Sequence, residues 1–144
     1  MKRNIVVISL AMAMFLLSPM QTNGEKAYRP PKTDSTELRM QDMLMNFLNP
    51  YINDAVHDYY QHLLRESPLV YSYFVDVIES HRVNGFRGFI LSLTLDVTPV
   101  VGPHIPVGED RLTFEISAGP KVRLVKYTHV KTHELPPNWQ DIIK

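Results

Sequence analysis

Between residues 34 and 66 the apolar residues recur every three or four positions, which is the spacing of one helix face. Asp34 or Ser35 can cap this helical segment, and Glu37 stands three residues after Asp34, as in a capping box. The periodic positions are Leu38, Met40, Leu44, Phe47, Leu48, Tyr51, Ile52, Ala55 and Tyr59.

Pro50 interrupts this periodic run. Asn49 can serve as the N-cap of a new helix with Pro50 in its first turn, because that position needs no backbone N–H. The pattern therefore predicts one helix over about 36–48 and a second over about 50–66, with a kink or a sharp turn between them.

From Leu69 onward the spacing changes to two, which indicates strands. Residues 70–82 are predicted as the first strand, and Asn84-Gly85 favours a two-residue type I′ turn. Residues 86–98 are predicted to return as the second strand, with one dry face and one wetter face. The dry face holds Phe89, Leu91, Leu93, Leu95 and Val97.

The remaining chain predicts a loop, two further strands and a terminal turn. Residues 99–110 are rich in proline and glycine and are predicted as a loop. A third strand is indicated by the alternation of Leu112, Phe114 and Ile116, and residues 121–130 are predicted as the fourth strand. A short helical turn at the end is expected to dock on the domain through Trp139, Ile142 and Ile143.

These elements predict an α+β domain in which N-terminal helices pack on a four-stranded, mostly antiparallel sheet. An amphipathic helix and a sheet with one apolar face each need a partner, and each can cover the other. Cystatin-like and NTF2-like domains solve the packing problem in this way, which is an analogy of fold and not of function.

The N-terminus has the composition of a signal peptide. Lys2 and Arg3 precede an apolar run from Ile5 to Leu17, which is shorter than the roughly 20 residues that a membrane-spanning helix needs. We expect residues 1–24 to be removed after Gly24, and the protein to be secreted or retained in the cell envelope. A buried N-terminal helix and an uncleaved membrane anchor are the alternatives.

The chain after the predicted cut divides into a leader and one domain. Residues 25–35 are charged, contain two consecutive prolines and are predicted to be a flexible leader, so the single domain covers 36–144. The chain has no cysteine, and we therefore expect packing alone to stabilise this domain outside the cytoplasm.

Composition excludes several classes of function. The 15 Lys and Arg balance the 15 Asp and Glu, so the chain lacks the basic surface of a nucleic-acid-binding protein. The G-x-S-x-G, H-E-x-x-H and G-x-x-x-x-G-K motifs are missing, and no cofactor is predicted. His129 and His133 are four residues apart, but they fall in or after a strand, where that spacing does not bring two ligands to one metal ion.

The predicted hairpin suggests one polar pair. With a two-residue turn, Asp76 lies opposite Leu93 on the dry face, where an unpaired carboxylate is costly. His62 falls on the apolar stripe of the second helix, so Asp76 and His62 could meet as a ligand site or a general base. The alternative is a β-bulge near Asp76 that returns its carboxylate to water.

Two other regions are candidate binding surfaces. Tyr71, Tyr73, Thr94 and Asp96 are predicted to share the wetter face, where the tyrosines could stack on a glycan or a protein. The 99–110 loop, which contains His104, could act as a recognition element or simply as a rigid crossover. The candidate ligand-binding residues are therefore His62, Asp76, Tyr73, Asp96 and His104.

Several segments resemble a family of small exported proteins of unknown function from Bacillus-type, spore-forming bacteria. The resemblance covers residues 36–144 and is carried by Ser67-Pro68-Leu69-Val70-Tyr71, by Thr98-Pro99-Val100-Val101-Gly102-Pro103-His104, by Asp110-Arg111-Leu112-Thr113-Phe114 and by Glu134-Leu135-Pro136-Pro137. It implies export and a single domain, and it transfers no catalytic residue.

The sequence thus favours an exported, non-enzymatic domain that binds a protein, a peptide or a cell-envelope component. It would contact the membrane only through its signal peptide before cleavage. The alternatives are a small extracytoplasmic hydrolase with a polar site between helix and sheet, and a module retained at the membrane by an unprocessed N-terminus.

Overall fold

The computed structural model describes residues 33–119 and 121–144. The predicted signal peptide, its cleavage site and most of the predicted leader lie outside these residues. Helix α1 spans Thr36–Tyr60. The six strands are β1 (Val75–Arg82), β2 (Leu91–Val97), β3 (Val100–Val101), β4 (Ile105–Pro106), β5 (Gly108–Ser117) and β6 (Lys121–Thr132).

The helical region forms one helix, so the prediction of two helices separated at Pro50 is wrong. Pro50 lies inside α1, where its missing N–H leaves the carbonyl of Asn46 without its helical donor. Leu48 and Ile52, on either side of the proline, are both buried in the same core, and this packing outweighs the cost of the proline.

The N-terminal end of α1 is as predicted, whereas its C-terminal end is not. Ser35 is the N-cap, and its hydroxyl accepts a hydrogen bond from the N–H of Leu38 at 3.1 Å. The helix ends at Tyr60 rather than near residue 66, because the following turn brings Leu64 into a β-bridge with Ile143.

Four strands form an antiparallel sheet, as predicted, and their order in the sheet is β1-β2-β5-β6. The predicted 99–110 loop is in fact more ordered, because β3 and β4 pair within it as a small two-stranded ribbon. Two buried valines, Val100 and Val101, hold this ribbon against the body of the domain.

The β1–β2 register differs from the predicted one. Arg82 pairs with Leu91, so residues 83–90 form a loop in place of a two-residue turn, although Gly85 does have the expected positive φ of +73°. The register then shifts between Val77 and Glu79, which indicates a β-bulge at the residue between them.

The core combines the buried face of α1 with one face of the sheet. Leu93, Leu95 and Val97 are buried as predicted, whereas Phe89 lies in the loop and is exposed. The cluster also includes the buried residues of α1, namely Met45, Leu48, Ile52, Ala55, Val56 and Tyr60.

The C-terminal segment docks on the domain as predicted. Pro137–Ile142 is a short 3-10 helix in which Ile142 is buried, while Ile143 is half-exposed. Trp139 packs so closely on Gly102 that any side chain at residue 102 would collide with the indole ring. Within the described residues, no helix is long and apolar enough to cross a membrane.

Candidate functional site

Asp110 is a fully buried acid at the start of β5. The strand alternates, and its inward positions include Leu112, Phe114 and also Asp110, which is 1% exposed. A carboxylate on the dry face of a sheet requires hydrogen-bond partners, because burying an isolated charge costs far more than the roughly 2–7 kcal/mol of burying an unpaired neutral polar group.

Two side chains supply those partners. The Tyr60 hydroxyl at the end of α1 donates to Oδ2 of Asp110 at 3.0 Å, and Nδ1 of His129 on β6 lies 2.6 Å from Oδ1. Since a carboxylate only accepts, the proton of the neutral imidazole is on Nδ1. Nε2 of His129 is then the acceptor for the Thr132 hydroxyl, 2.8 Å away. We call Tyr60, Asp110, His129 and Thr132 the Asp110 network.

Aromatic rings and a glycine enclose this network. The Tyr59 ring stacks on the rings of Tyr127 and His129, with centroids 4.9 and 5.2 Å apart. Gly108 lies so close to the Tyr60 hydroxyl that a Cβ at residue 108 would collide with it. The position therefore requires glycine, as a close approach of backbone to side chain does.

The phenols beside Asp110 resist ionisation. Burial first, and the negative charge of Asp110 second, raise the pKa of Tyr60 far above its ordinary value of 10.0. The same two causes raise the pKa of Tyr127. The Tyr127 hydroxyl is buried near the Asp110 carboxylate, whose charge and hydrogen-bonding capacity both favour the neutral phenol, but within the described part of the chain it makes no hydrogen bond of ordinary length and angle.

A pocket of about 300 Å³ opens beside the Asp110 network, between the end of α1, the end of β6 and the C-terminal segment. Tyr60, His129 and Thr132 form part of its wall. Its apolar wall is made of Leu63, Leu64, Val107, Leu135 and Ile143.

The ionisable side chains around this pocket are basic. Besides Tyr60, those among the described residues that line it are His62, His129, His133 and Lys144. Nε2 of His133 lies 3.0 Å from Oε1 of Glu109, whose carboxylate fixes the ring at the pocket wall. The pocket therefore offers an apolar interior with a basic rim.

Asp76 and His62 do not meet. His62 is exposed and lies beyond the end of α1 rather than on its buried stripe, and it lines the pocket just described. Asp76 is exposed and lies opposite Asp96, because the bulge in β1 turns its side chain to the wetter face. The alternative that the sequence left open, a bulge near Asp76, is the one that the structure adopts.

Asp96 takes part in a surface ion pair. Its two carboxylate oxygens accept from Nε and an Nη of Arg111 at 2.6 and 2.7 Å. Together with Asp76, it borders a cleft of about 180 Å³.

Tyr73 and His104 do meet, at the end of the molecule that carries β3 and β4. The Tyr73 hydroxyl lies 3.2 Å from Nε2 of His104, and the rings of Tyr71 and Tyr73 stack with centroids 5.4 Å apart. Tyr73 lies in the 3-10 turn before β1, and Tyr71 immediately precedes that turn. The prediction that the two tyrosines share a strand face with Thr94 and Asp96 is therefore wrong.

The Asp110 network was not predicted from the sequence. One signal could have found it: counting back by two from Phe114 and Leu112 reaches Asp110, which places the acid on the dry face. Assigning residues 99–110 to a loop hid that alternation. No sequence pattern indicated that Tyr60 and His129 would be its partners.

The fold and site define the class: an α+β domain with a buried acid network beside an apolar pocket. Among the described residues, no three His, Asp or Glu side chains converge as they would around a metal ion. The chain belongs to a family of proteins of unknown function, DUF3888, whose family model matches residues 40–131. No curated protein and no solved structure matches the chain.

Proposed function

We propose that the protein is an exported, non-enzymatic binding domain whose ligand has an aliphatic body and an acidic group. The observation that carries this proposal is the pocket of about 300 Å³ with an aliphatic wall and basic ionisable side chains. Small-molecule sites are typically concave, mostly apolar and oriented by a few polar groups. An acyl chain or a peptide end with a carboxylate has this chemistry.

The two parts of the pocket suit the two parts of such a ligand. Leu64, Val107 and Leu135 are buried and form a rigid aliphatic surface. His62 and Lys144 are exposed at the rim, where the Lys144 ammonium, which also donates to the carbonyl of Gln61, can meet a carboxylate without full desolvation. An acidic headgroup would therefore stay at the rim while its chain enters the pocket.

The test is titration calorimetry of the protein with octanoate, and with 1-octanol as the uncharged ligand of equal length. We expect saturable binding of octanoate, and about tenfold or greater weakening for octanol, because a charge-assisted hydrogen bond contributes about 1.5–3 kcal/mol.

Two leucines of similar exposure supply a matched pair of variants. Leu63 is 46% exposed and lines the pocket, and Leu69 is 51% exposed and lies away from it. Leu63→Ser should weaken octanoate binding several-fold, and Leu69→Ser should leave it unchanged. Equal effects of both variants, or the same affinity for octanol and octanoate, would contradict the proposal.

A second candidate function is hydrolysis of an acyl ester, favoured by the hydrogen-bonded chain from Asp110 through His129 to Thr132. A base that is oriented by an acid can accept a proton from a hydroxyl nucleophile. Thr132 Oγ1 would attack the ester carbonyl while Nε2 of His129 takes its proton and passes it to the leaving alcohol. Water would then hydrolyse the acyl-threonine.

The hydrolase candidate is tested with p-nitrophenyl octanoate. Thr132→Val should abolish turnover and the acyl adduct on residue 132 in the intact-mass spectrum, whereas Thr128→Val on the same strand should change neither. If the wild-type protein binds octanoate but releases no p-nitrophenol above the buffer rate, the protein is a binding domain and the hydrolase candidate is wrong.

A further inference from the structure

The loop between β1 and β2, residues 83–90, exposes large apolar side chains at one end of the molecule. Phe86 is 95% exposed, Phe89 is 72% exposed and Val83 is 48% exposed. Two phenylalanines so open to water within one short loop are costly for a monomer and usually mark a contact surface.

The strand pairing shows what else lies at this end. Leu91 pairs with Ile116, and Ile116 pairs with Val122, so the β5–β6 turn is next to the 83–90 loop. Helix α1 also begins here, because Met40 near its start lines a groove with residues of β1 that lead into the loop. The described chain therefore enters the domain at this end.

Basic residues surround the exposed phenylalanines. Arg82, Arg87 and Lys121 are all exposed at this end. Arg82, at the end of β1, also donates a hydrogen bond to the carbonyl of Gly88 and so links the two sides of the loop. Of the acidic residues at this end, Glu115 pairs with Arg123 at 3.1 Å and Asp34 pairs with Arg39 at 2.8 Å. Glu79 lies 2.9 Å from His81, and Glu37 is in the first turn of α1. We call residues 82–91 together with Lys121 the loop face.

We propose that the loop face docks on the surface of an anionic phospholipid bilayer. Aromatic side chains partition into the interfacial layer of a bilayer, and flanking Arg and Lys side chains contact its phosphates. A protein partner fits less well, because two phenylalanines present roughly 300–500 Å² while a stable interface needs about 800 Å² on each side. This proposal is independent of the pocket and its ligand.

The absence of cysteine from the chain makes a site-specific test possible. Phe86→Cys in the full chain is labelled with an environment-sensitive nitrobenzoxadiazole dye. Asn138→Cys, exposed in the C-terminal 3-10 helix at the opposite end of the sheet, is the control. Because the chain enters the domain at the loop end, insertion of the N-terminus alone would also bring residue 86 near the bilayer. Substitutions at Arg87 and Lys121, which leave the N-terminus unchanged, therefore distinguish docking of the loop face from insertion of the N-terminus.

With vesicles of phosphatidylcholine and phosphatidylglycerol, we expect a blue shift and an intensity gain for the label at residue 86 and none at residue 138. With vesicles of phosphatidylcholine alone, a several-fold higher lipid concentration should be required for the same change in the fluorescence of the label. In the same labelled background, Arg87→Glu and Lys121→Glu should each weaken the response about fivefold or more.

Three results would overturn the proposal. The first is that the emission of the label at residue 86 does not change when anionic vesicles are added. The second is that the labels at residues 86 and 138 respond equally. The third is a blue shift that depends on protein concentration without lipid, which would assign the loop face to contact between two copies of the chain.

Discussion

At the scale of single residues, the central feature of the molecule is a buried carboxylate, that of Asp110. Asp110 accepts one hydrogen bond from Tyr60, 50 residues away on α1, and another from His129 on the neighbouring strand β6. The folded state therefore supplies the partners that offset the cost of burying Asp110. Tyr60 is in place only when α1 packs on the sheet, and His129 only when β6 pairs with β5.

Tyr60 and Tyr127 form a matched pair for testing this point. Tyr60→Phe should lower the free energy of unfolding by about 1.5–3 kcal/mol, because it removes a hydrogen bond to a charged group. Tyr127→Phe should leave stability unchanged or raise it by up to about 1 kcal/mol, because it removes a buried hydroxyl that makes no hydrogen bond within the described residues. Urea unfolding measures both, and equal losses would contradict the assignment of partners.

Residue positions were predictable from the sequence where side chains alternate without interruption. Leu93, Leu95 and Val97 followed from the period of two. The face on which Asp76 lies was not predictable in this way. A single bulged residue moves the side chains of all the following strand residues to the other face of the sheet, and no local pattern identifies the bulge. Tyr73 and His104 were each proposed separately, and only the fold brings them into contact.

At the scale of elements, the four antiparallel strands and the start of α1 were predictable, and the continuation of the helix through Pro50 was not. Propensity correctly marks Pro50 as unfavourable inside a helix, but the same apolar face continues past it into the core. Tertiary packing outweighed the local cost, and sequence spacing alone does not measure that packing.

The segment between α1 and β1 is fastened to the helix by an asparagine. Asn53 accepts from the Val70 N–H at 2.8 Å, and its amide donates to the carbonyls of Asn49 and Val70 at 3.0 and 3.2 Å. Asn49 also donates to the Val70 carbonyl, at 2.8 Å. Val70 is buried, so water cannot replace these partners.

Asn53→Ala should therefore destabilise the protein by about 1–3 kcal/mol, the cost of leaving the N–H of buried Val70 without its partner, while the Val70 carbonyl keeps its bond from Asn49. Asn138→Ala, at an exposed position, is the control and should change stability by less than about 0.5 kcal/mol. Thermal unfolding followed by circular dichroism compares the two. A loss for Asn53→Ala no larger than that of the control would mean that Asn53 does not fasten this segment.

At the scale of the whole molecule, the proposed pocket and the loop face lie at opposite ends of the sheet. Strand β6 runs from Lys121 at the loop face to Thr132 at the pocket. If the loop face rests on a bilayer, the pocket opens away from it. The two proposals can therefore hold together, and each has its own test.

The raised pKa values of Tyr60 and Tyr127 predict how the stability of the whole domain depends on pH. In the unfolded chain both phenols ionise near pH 10.0, whereas in the fold they remain neutral at that pH. The unfolded state thus binds fewer protons above pH 10, and stability falls as the pH rises. Below pH 10 the contribution is fully present.

With both tyrosines acting, the free energy of unfolding should fall by up to about 2.7 kcal/mol per pH unit above pH 10. Urea unfolding between pH 9 and pH 11 measures this slope, and Tyr127→Phe should reduce it by about half. If a phenolate absorbance titration showed that all seven tyrosines ionise near pH 10 in the folded protein, the raised pKa values of Tyr60 and Tyr127 would be contradicted.

The most direct test of the Asp110 network is the tautomer of His129, read from the nitrogen chemical shifts of its imidazole by NMR above pH 8. The account predicts a proton on Nδ1, donated to Asp110, and a bare Nε2 that accepts from Thr132. Asp110→Asn should change this pattern, while the signals of exposed His62 stay the same. A neutral His129 with its proton on Nε2 would contradict the Asp110 network and the hydrogen-bonded chain from Asp110 through His129 to Thr132.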